Sequence, residues 1–545
     1  MTKRFSSSGS ARRTRLALGV ALLGAALSEL SARAVDPIQS PNIILFLADD
    51  MGMGDTSAYQ DWTGNPDNTQ LHTPAMESLA RSGVRFTDAH SPSSRCTPSR
   101  YALLTGRYCW RTHLKHFVLF GVHHNPLIER KRLTMPEFLR AAGYRTGMVG
   151  KWHLGLAYRN KDGGVAEGWK DADLSRPLAD CPIDHGFDFF YGFSRSHGTS
   201  GPDGKRNGPH QAIGPGWIHN RNVIGHTGND KEIEGYRLHE IGGVLDEQAF
   251  AFLRPAAAQK QPFFLYFASP ANHGPYTPSR RIGDDAIAGA SKYVDGSSAK
   301  SRRLDFVDQN DVHVARLLAF LRSTDDPRRP GNKLFDNTLF IFSSDNGAEQ
   351  NNKQFTGPLR SNKGSTYEGG HRVPFLAAWP AGGIGDGRAD TPGQTCGRLL
   401  SLTDMYATFA GILGKRLPPL KGDSYGAEDS VSQLAAMRGK EYAPRIPLFS
   451  NDHKEASKRR AKERAWVAIH SRACPIPGKW KLFLDHRYAY EEQIHPMELY
   501  ELQSDRKETN NLLDDKHQKV IDFLIEQAKL AAGDNGSTRQ LEKVP

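Results

Sequence analysis

The run Asn42-Ile-Ile-Leu-Phe-Leu47 leads directly into Ala48-Asp49-Asp50. An apolar stretch this short, with no polar alternation, suits a strand covered on both faces of a sheet. Similar runs recur at Thr146–Val149, Pro262–Ala268, Thr338–Phe342 and Val373–Ala378, with helical segments between them, including about Arg303–Leu321. That alternation predicts an α/β fold with a large mixed, mostly parallel sheet flanked by helices. Ligands of such sheets bind beyond the carboxyl ends of the strands. Asp49-Asp50 and Asp345-Asn346 both fall at predicted strand ends.

Local signals punctuate the pattern. Thr73 and Pro74 read as N-cap and first residue of a helix that Gly83 closes, and Thr134 with Glu137 forms a capping box before a second helix. Gly198–Asp230 is rich in Gly, His, Asn and Pro, has little periodicity and reads as a long loop that either in part shapes a substrate pocket or is a plain insertion. A smaller C-terminal α+β domain is expected over 441–545, with strands at Lys479–Leu484 and Glu498–Leu502 and a helix across about His517–Ala532. The larger domain then covers 35–440.

Leu16–Leu27 is the longest apolar run and is too short to cross a bilayer as a helix, so no stable membrane span is expected. Lys3, Arg4, Arg12, Arg13 and Arg15 precede it and Ala32-Arg33-Ala34 follows, which together read as a signal peptide over 1–34 and an exported, periplasmic or secreted protein. The formal charge is +11; six Lys/Arg against one Glu in residues 1–34 leave the remainder near +6. An excess of that size favours anionic ligands without pointing to nucleic acid. The five cysteines (Cys96, Cys109, Cys181, Cys396, Cys474) show no zinc spacing, and export would permit disulfides that the sequence cannot pair.

The chemistry concentrates in a few segments. Adjacent carboxylates at Asp49-Asp50 repel unless a cation lies between them or one is protonated. Asp345-Asn346 adds a carboxylate and an amide oxygen. A ligand set of hard oxygens, with no imidazole, favours Ca²⁺, with Mg²⁺ possible, over zinc. Between these pairs lies Ser94-Arg-Cys96-Thr-Pro-Ser-Arg100, followed by Thr105-Gly-Arg107. Gly150-Lys151-Trp-His153-Leu-Gly155, Ser269-Pro-Ala-Asn-His273-Gly-Pro275 and Pro358–Gly370, containing Lys363-Gly-Ser-Thr-Tyr-Glu-Gly-Gly, follow in order.

This succession resembles the type I sulfatases, the formylglycine-dependent branch of the alkaline phosphatase superfamily, and the likeness spans about residues 41–512. It implies an alkaline-phosphatase-like fold and a sulfuric ester hydrolase of the arylsulfatase or N-acetylgalactosamine-6-sulfatase kind. Cys96 would be oxidised to formylglycine by a formylglycine-generating enzyme, and its aldehyde hydrate would join Asp49, Asp50, Asp345 and Asn346 around one divalent cation. One hydrate oxygen would attack sulfur and the second hydroxyl would let sulfate leave. Lys151, Lys363 and Arg100 would supply positive charge, His153 would act as base, and His273 as acid toward the leaving alcohol. Substrate contacts would come from Ser196, Lys151, His273 and Lys363, with Ser194 competing for the place of Ser196. Lys151 and His153, two apart on a strand, are expected on one face. His371 departs from the likeness, since the family more often has an apolar residue there. The substrate expected is a sulfated carbohydrate. A phosphate or phosphonate ester hydrolase and a non-catalytic sulfated-glycan binder are the alternatives. Two-zinc phosphatases need histidine ligands that these pairs lack.

Overall fold

The computed structural model describes residues 40–539 except 65–69, 116, 120–125, 169–170, 201–213, 225–234, 441–447, 453–465, 472–473, 486–494 and 533–536. The expected leader over 1–34 and the boundary near 440 lie outside the described residues.

Ten strands form the main sheet: β1 (Asn42–Ala48), β2 (Val84–Phe86), β3 (Arg145–Lys151), β4 (Phe189–Phe193), β5 (Ile218–His219), β6 (Asn222–Val223), β7 (Phe263–Ala268), β8 (Thr338–Ser344), β9 (Phe375–Ala378) and β10 (Gln394–Cys396). Their spatial order is β10-β2-β9-β8-β1-β7-β3-β4-β5-β6. The five central strands, β8-β1-β7-β3-β4, pair in parallel. Strand β9 runs antiparallel to β8, and β5 to β4, so the sheet is mixed toward both edges.

Strand β1 has the double-sided burial that its sequence predicts. Ile43, Leu45 and Leu47 enter the hydrophobic core on one side of the sheet, and Ile44, Phe46 and Ala48 enter the core on the other. Phe46 stacks between Phe267 (4.7 Å) and Phe342 (5.4 Å) from the two flanking strands. Complete burial of such a side chain stabilises the fold by about 1.5–3 kcal/mol.

Helices cover both faces, among them α1 (Pro74–Ser82), α2 (Cys96–Thr105), α3 (Met135–Ala141), α4 (Ile241–Ala257) and α5 (Arg302–Ser323). The Thr134–Glu137 capping box forms as expected. The cap of α1 differs from expectation. Thr73 occupies the N-cap position, but its hydroxyl bonds Thr56 and Ser57. The free amides of Ala75 and Met76 instead donate to the two carboxylate oxygens of Asp311, on α5 (3.0 and 2.8 Å). Within 198–230, the hairpin β5–β6 extends the main sheet, so this segment is not wholly a loop.

A second sheet of four antiparallel strands, Leu448–Asp452, Trp466–Ser471, Trp480–Asp485 and Pro496–Glu501, lies near the C-terminus. Alternation gives it two buried faces. Trp480, Leu482 and Leu484 pack with helix α6 (Gln518–Ala532) and with Tyr108 and Trp110. Phe483 on the opposite face packs with Tyr367, close to the Lys363 segment. Among the described residues, no helix is long and apolar enough to cross a membrane. None of the five cysteines is disulfide-bonded.

Candidate active site

The carboxyl ends of the five parallel strands lie along one edge, and the sequence-predicted residues follow them directly: Asp49-Asp50 after β1, His273 after β7, Lys151 and His153 at the end of β3, Ser196 after β4, and Asp345-Asn346 after β8. Cys96 opens α2 and is 2% exposed. Ligand atoms of Asp49, Cys96 and Asp345 lie within 4.8 Å of one another, and all three residues are buried.

The carboxylates are laced to cations. Lys151 Nζ lies 2.5 Å from Asp49 Oδ2, and Lys363 Nζ 2.6 Å from Asp50 Oδ2. Arg100 donates from Nε to Asp345 Oδ2 (2.9 Å) and from Nη1 to the Lys151 carbonyl oxygen (3.2 Å). Asn346 Nδ2 donates to Asp50 Oδ1 (2.7 Å). Burial opposes ionisation of Asp50, but Lys363, His273 and Lys151 outweigh it and hold this carboxyl well below the usual range. Burial, reinforced by Asp49, pushes Asp345 up to about 6. Burial also pushes the Cys96 thiol up to about 11 against the pull of Lys151 and Lys363. A protonated thiol is a poor nucleophile.

The histidines sit in defined tautomers. His153 donates from Nε2 to the Leu119 carbonyl oxygen (3.0 Å), which leaves a lone pair on the buried, unpartnered Nδ1. Burial, Lys151 and Arg195 hold its pKa well below the ordinary value. His273 donates from Nδ1 to the Gly274 carbonyl oxygen (2.6 Å), so its Nε2 accepts from the Ser196 hydroxyl (3.3 Å). Ser194 instead faces Ser200 (3.4 Å), so Ser196 is the serine that meets His273. The expected strand alternation of Lys151 and His153 does not apply. Strand β3 ends at Lys151 and His153 has φ 58°, so its direction is set by a left-handed turn.

Glycines admit the Lys363 segment. A Cβ on Gly370 would lie 2.0 Å from the Ser365 carbonyl oxygen, and one on Gly369 would lie 2.2 Å from that of Ser361. Only glycine permits these approaches.

Arg195 escaped the sequence reading. It is buried, and its Nε and Nη1 have no hydrogen-bond partner. Burial lowers its pKa to about 10, while Cys96 is the one group that raises it. A buried guanidinium without a carboxylate partner keeps donors free for an anion. Its flanking serines drew attention in the sequence, but the missing partner is visible only in three dimensions.

This arrangement of sheet, strand-end carboxylates and cysteine-led helix defines a hydrolase of the alkaline phosphatase superfamily. Residues 41–415 match the Sulfatase family model, and the chain belongs to the sulfatase family, whose members are sulfuric ester hydrolases. It is 28% identical to an N-acetylgalactosamine-6-O-sulfatase of Bacteroides thetaiotaomicron, over 93% of this chain and 96% of that protein. It is 33% identical to human arylsulfatase A, over 75% of this chain and 70% of that protein. A solved Bacteroides thetaiotaomicron sulfatase, described with the metabolism of multiple glycosaminoglycans, superposes with a TM-score of 0.65 at 25% identity, covering 90% of this chain and 98% of that one.

Proposed function

We propose that this protein is an exported sulfatase that cleaves sulfate monoesters of carbohydrates, using an aldehyde made from Cys96 and one divalent cation. The observation that carries the reading is the meeting of a buried cysteine with strand-end carboxylates and an unpaired guanidinium on one edge of the sheet. The substrate class follows the relatives, which include a hexosamine sulfatase.

The residues fit a hard cation. Asp49 Oδ1 and Asn346 Oδ1 are buried without hydrogen-bond partners. With Asp50 and Asp345 they form an all-oxygen set suited to Ca²⁺ or Mg²⁺. Bound, the cation and the aldehyde hydrate supply fixed positive charge and an oxygen nucleophile. Arg100 holds Asp345 and the Lys151 carbonyl, a positioning role. Lys151 and Lys363 hold Asp49 and Asp50 and place two ammonium groups beside the bound sulfate. Arg195 takes a sulfuryl oxygen, satisfying donors that are otherwise idle. His153 accepts a proton at Nδ1. Ser196 orients the ester toward His273, whose Nε2 takes a proton from solvent when the bound anion offsets burial and the neighbouring lysines, and passes it to the leaving oxygen.

The test is mass spectrometry of the tryptic peptide Cys96–Arg100 from chain co-expressed with a formylglycine-generating enzyme, alongside turnover of an aryl sulfate and an aryl phosphate. A hydrazide-trapped aldehyde and sulfate turnover are expected. Ester hydrolysis by protein carrying an unmodified thiol would overturn the nucleophile assignment, and faster phosphate turnover would overturn the substrate class.

A further inference from the structure

His371, the residue that departs from the family likeness, belongs to a second buried cluster. Together with His90, Glu368 and His470 it offers ligand atoms that all lie within 4.8 Å of one another. All four residues are buried. His90 precedes Cys96 by six positions, Glu368 and His371 flank the glycine pair after Lys363, and His470 comes from the C-terminal sheet.

Hydrogen-bond accounting points to a missing cation. His90 Nε2 lies 3.0 Å from Asp88 Oδ1, and His371 Nε2 lies 3.0 Å from the Thr366 carbonyl oxygen. A carboxylate and a carbonyl only accept, so these contacts use the single N–H of each neutral imidazole. The two Nδ1 atoms, 3.0 Å apart, then face each other with lone pairs. Neither nitrogen of His470 has a hydrogen-bond partner, and its Nε2 lies 3.9 Å from Glu368 Oε1. Imidazoles whose outer N–H is fixed by a carboxylate or carbonyl are the usual setting of metal-bound histidine.

We propose that His90, Glu368, His371 and His470 form a zinc site separate from the one around Asp49 and Asp345. Three imidazole nitrogens and one carboxylate oxygen suit a tetrahedral, structural Zn²⁺. The rival occupant is the ammonium of Lys481, 3.0 Å from Glu368 Oε1, 3.2 Å from His371 Nε2 and 2.7 Å from Glu508 Oε1. Donation from Lys481 to His371 Nε2 would leave the Thr366 carbonyl against a lone pair and His470 still unpartnered. With zinc bound, Lys481 keeps Glu508, the facing lone pairs of His90 and His371 both point at a cation, and one nitrogen of His470 gains a partner. The site braces the first one: the Ser91 amide donates to the His371 carbonyl (2.8 Å), and the Gly364 amide to that of Ser94 (2.9 Å). Zinc there ties the segments bearing Cys96 and Lys363 to the C-terminal sheet.

The test uses the full chain as C96S, saturated with Ca²⁺ so that neither the thiol of position 96 nor the first site takes the metal. After loading and desalting, elemental analysis is expected to find roughly one zinc per chain. Co²⁺ in its place is expected to give the strong visible absorption of tetrahedral coordination. His470→Ala is expected to lose both signals. Asp88→Ala, which removes the acceptor of the His90 N–H, is expected to weaken zinc affinity about 10- to 100-fold and covers the case in which the His470 variant does not fold. A folded chain that retains no zinc and gives no tetrahedral cobalt spectrum would leave Lys481 as the cluster's cation and overturn the proposal. Zinc bound equally well by the Asp88 variant would overturn it too.

Discussion

Lys151 Nζ and Asp49 Oδ2 are 2.5 Å apart, and neither side chain is exposed to solvent. Lys151→Ala strands a buried carboxylate, so it is expected to destabilise the protein by about 3–5 kcal/mol. It is also expected to lower aryl sulfate kcat about 100- to 1000-fold. Thermal unfolding and turnover measured on the same sample check both. A variant with normal kcat would remove Lys151 from the reaction.

Arg195→Gln has effects of opposite sign. The variant loses a buried charge that has no carboxylate partner, so Tm is expected to hold or rise. Aryl sulfate kcat/KM is expected to fall about tenfold or more, because the lost donors serve only the bound anion. A fall in Tm with unchanged kinetics would make Arg195 a structural residue.

Removal of divalent cations by a chelator is expected to abolish turnover, with Ca²⁺ or Mg²⁺ restoring it. Asn346→Ala, which deletes one of the two orphaned oxygens, is expected to require more added cation for half-restoration. Full turnover in metal-depleted protein would exclude the cation from the reaction.

Asp308 on α5 gives a pH signature away from the site. Burial, aided by Asp305, raises its pKa from 3.8 to about 7. Between those values the folded protein binds more protons than the unfolded chain, so this group's contribution to stability falls as pH rises from about 4 to about 7. Asp308→Asn is therefore expected to match the parent near pH 4 and to be the more stable protein near pH 8. Equal Tm values across this range would place the ionisation at its ordinary position.

The parallel centre of the sheet was legible because β1 carries its double burial in five consecutive apolar residues, Ile43–Leu47. The site was legible for a related reason. Strands that end at Ala48, Lys151, Ala268 and Ser344 put the next residues on one edge. What depends on distant partners was not legible. Asp311 caps α1 from 236 residues away, where local rules assign the cap to Thr73. Arg195 is distinguished by a missing carboxylate, which has no sequence signature. His371 stood out as a departure, yet His90 and His470 carry no spacing that joins them to it. The alternation rule misplaced His153 because the strand stops before the residue is reached.

The burial of Cys96 fixes when its chemistry can be altered. An enzyme that oxidises this side chain needs it in its own cleft, and the finished fold leaves 2% of it exposed. Closure of the pocket waits for Asp345, which pairs with Arg100 across 245 residues of sequence. At a synthesis rate of about 5–20 residues per second, roughly ten to fifty seconds separate the two as they emerge. On the proposed function, oxidation of Cys96 is thus a race against the chain's own completion, and a variant that folds faster around position 96 would emerge as well-formed but inert protein.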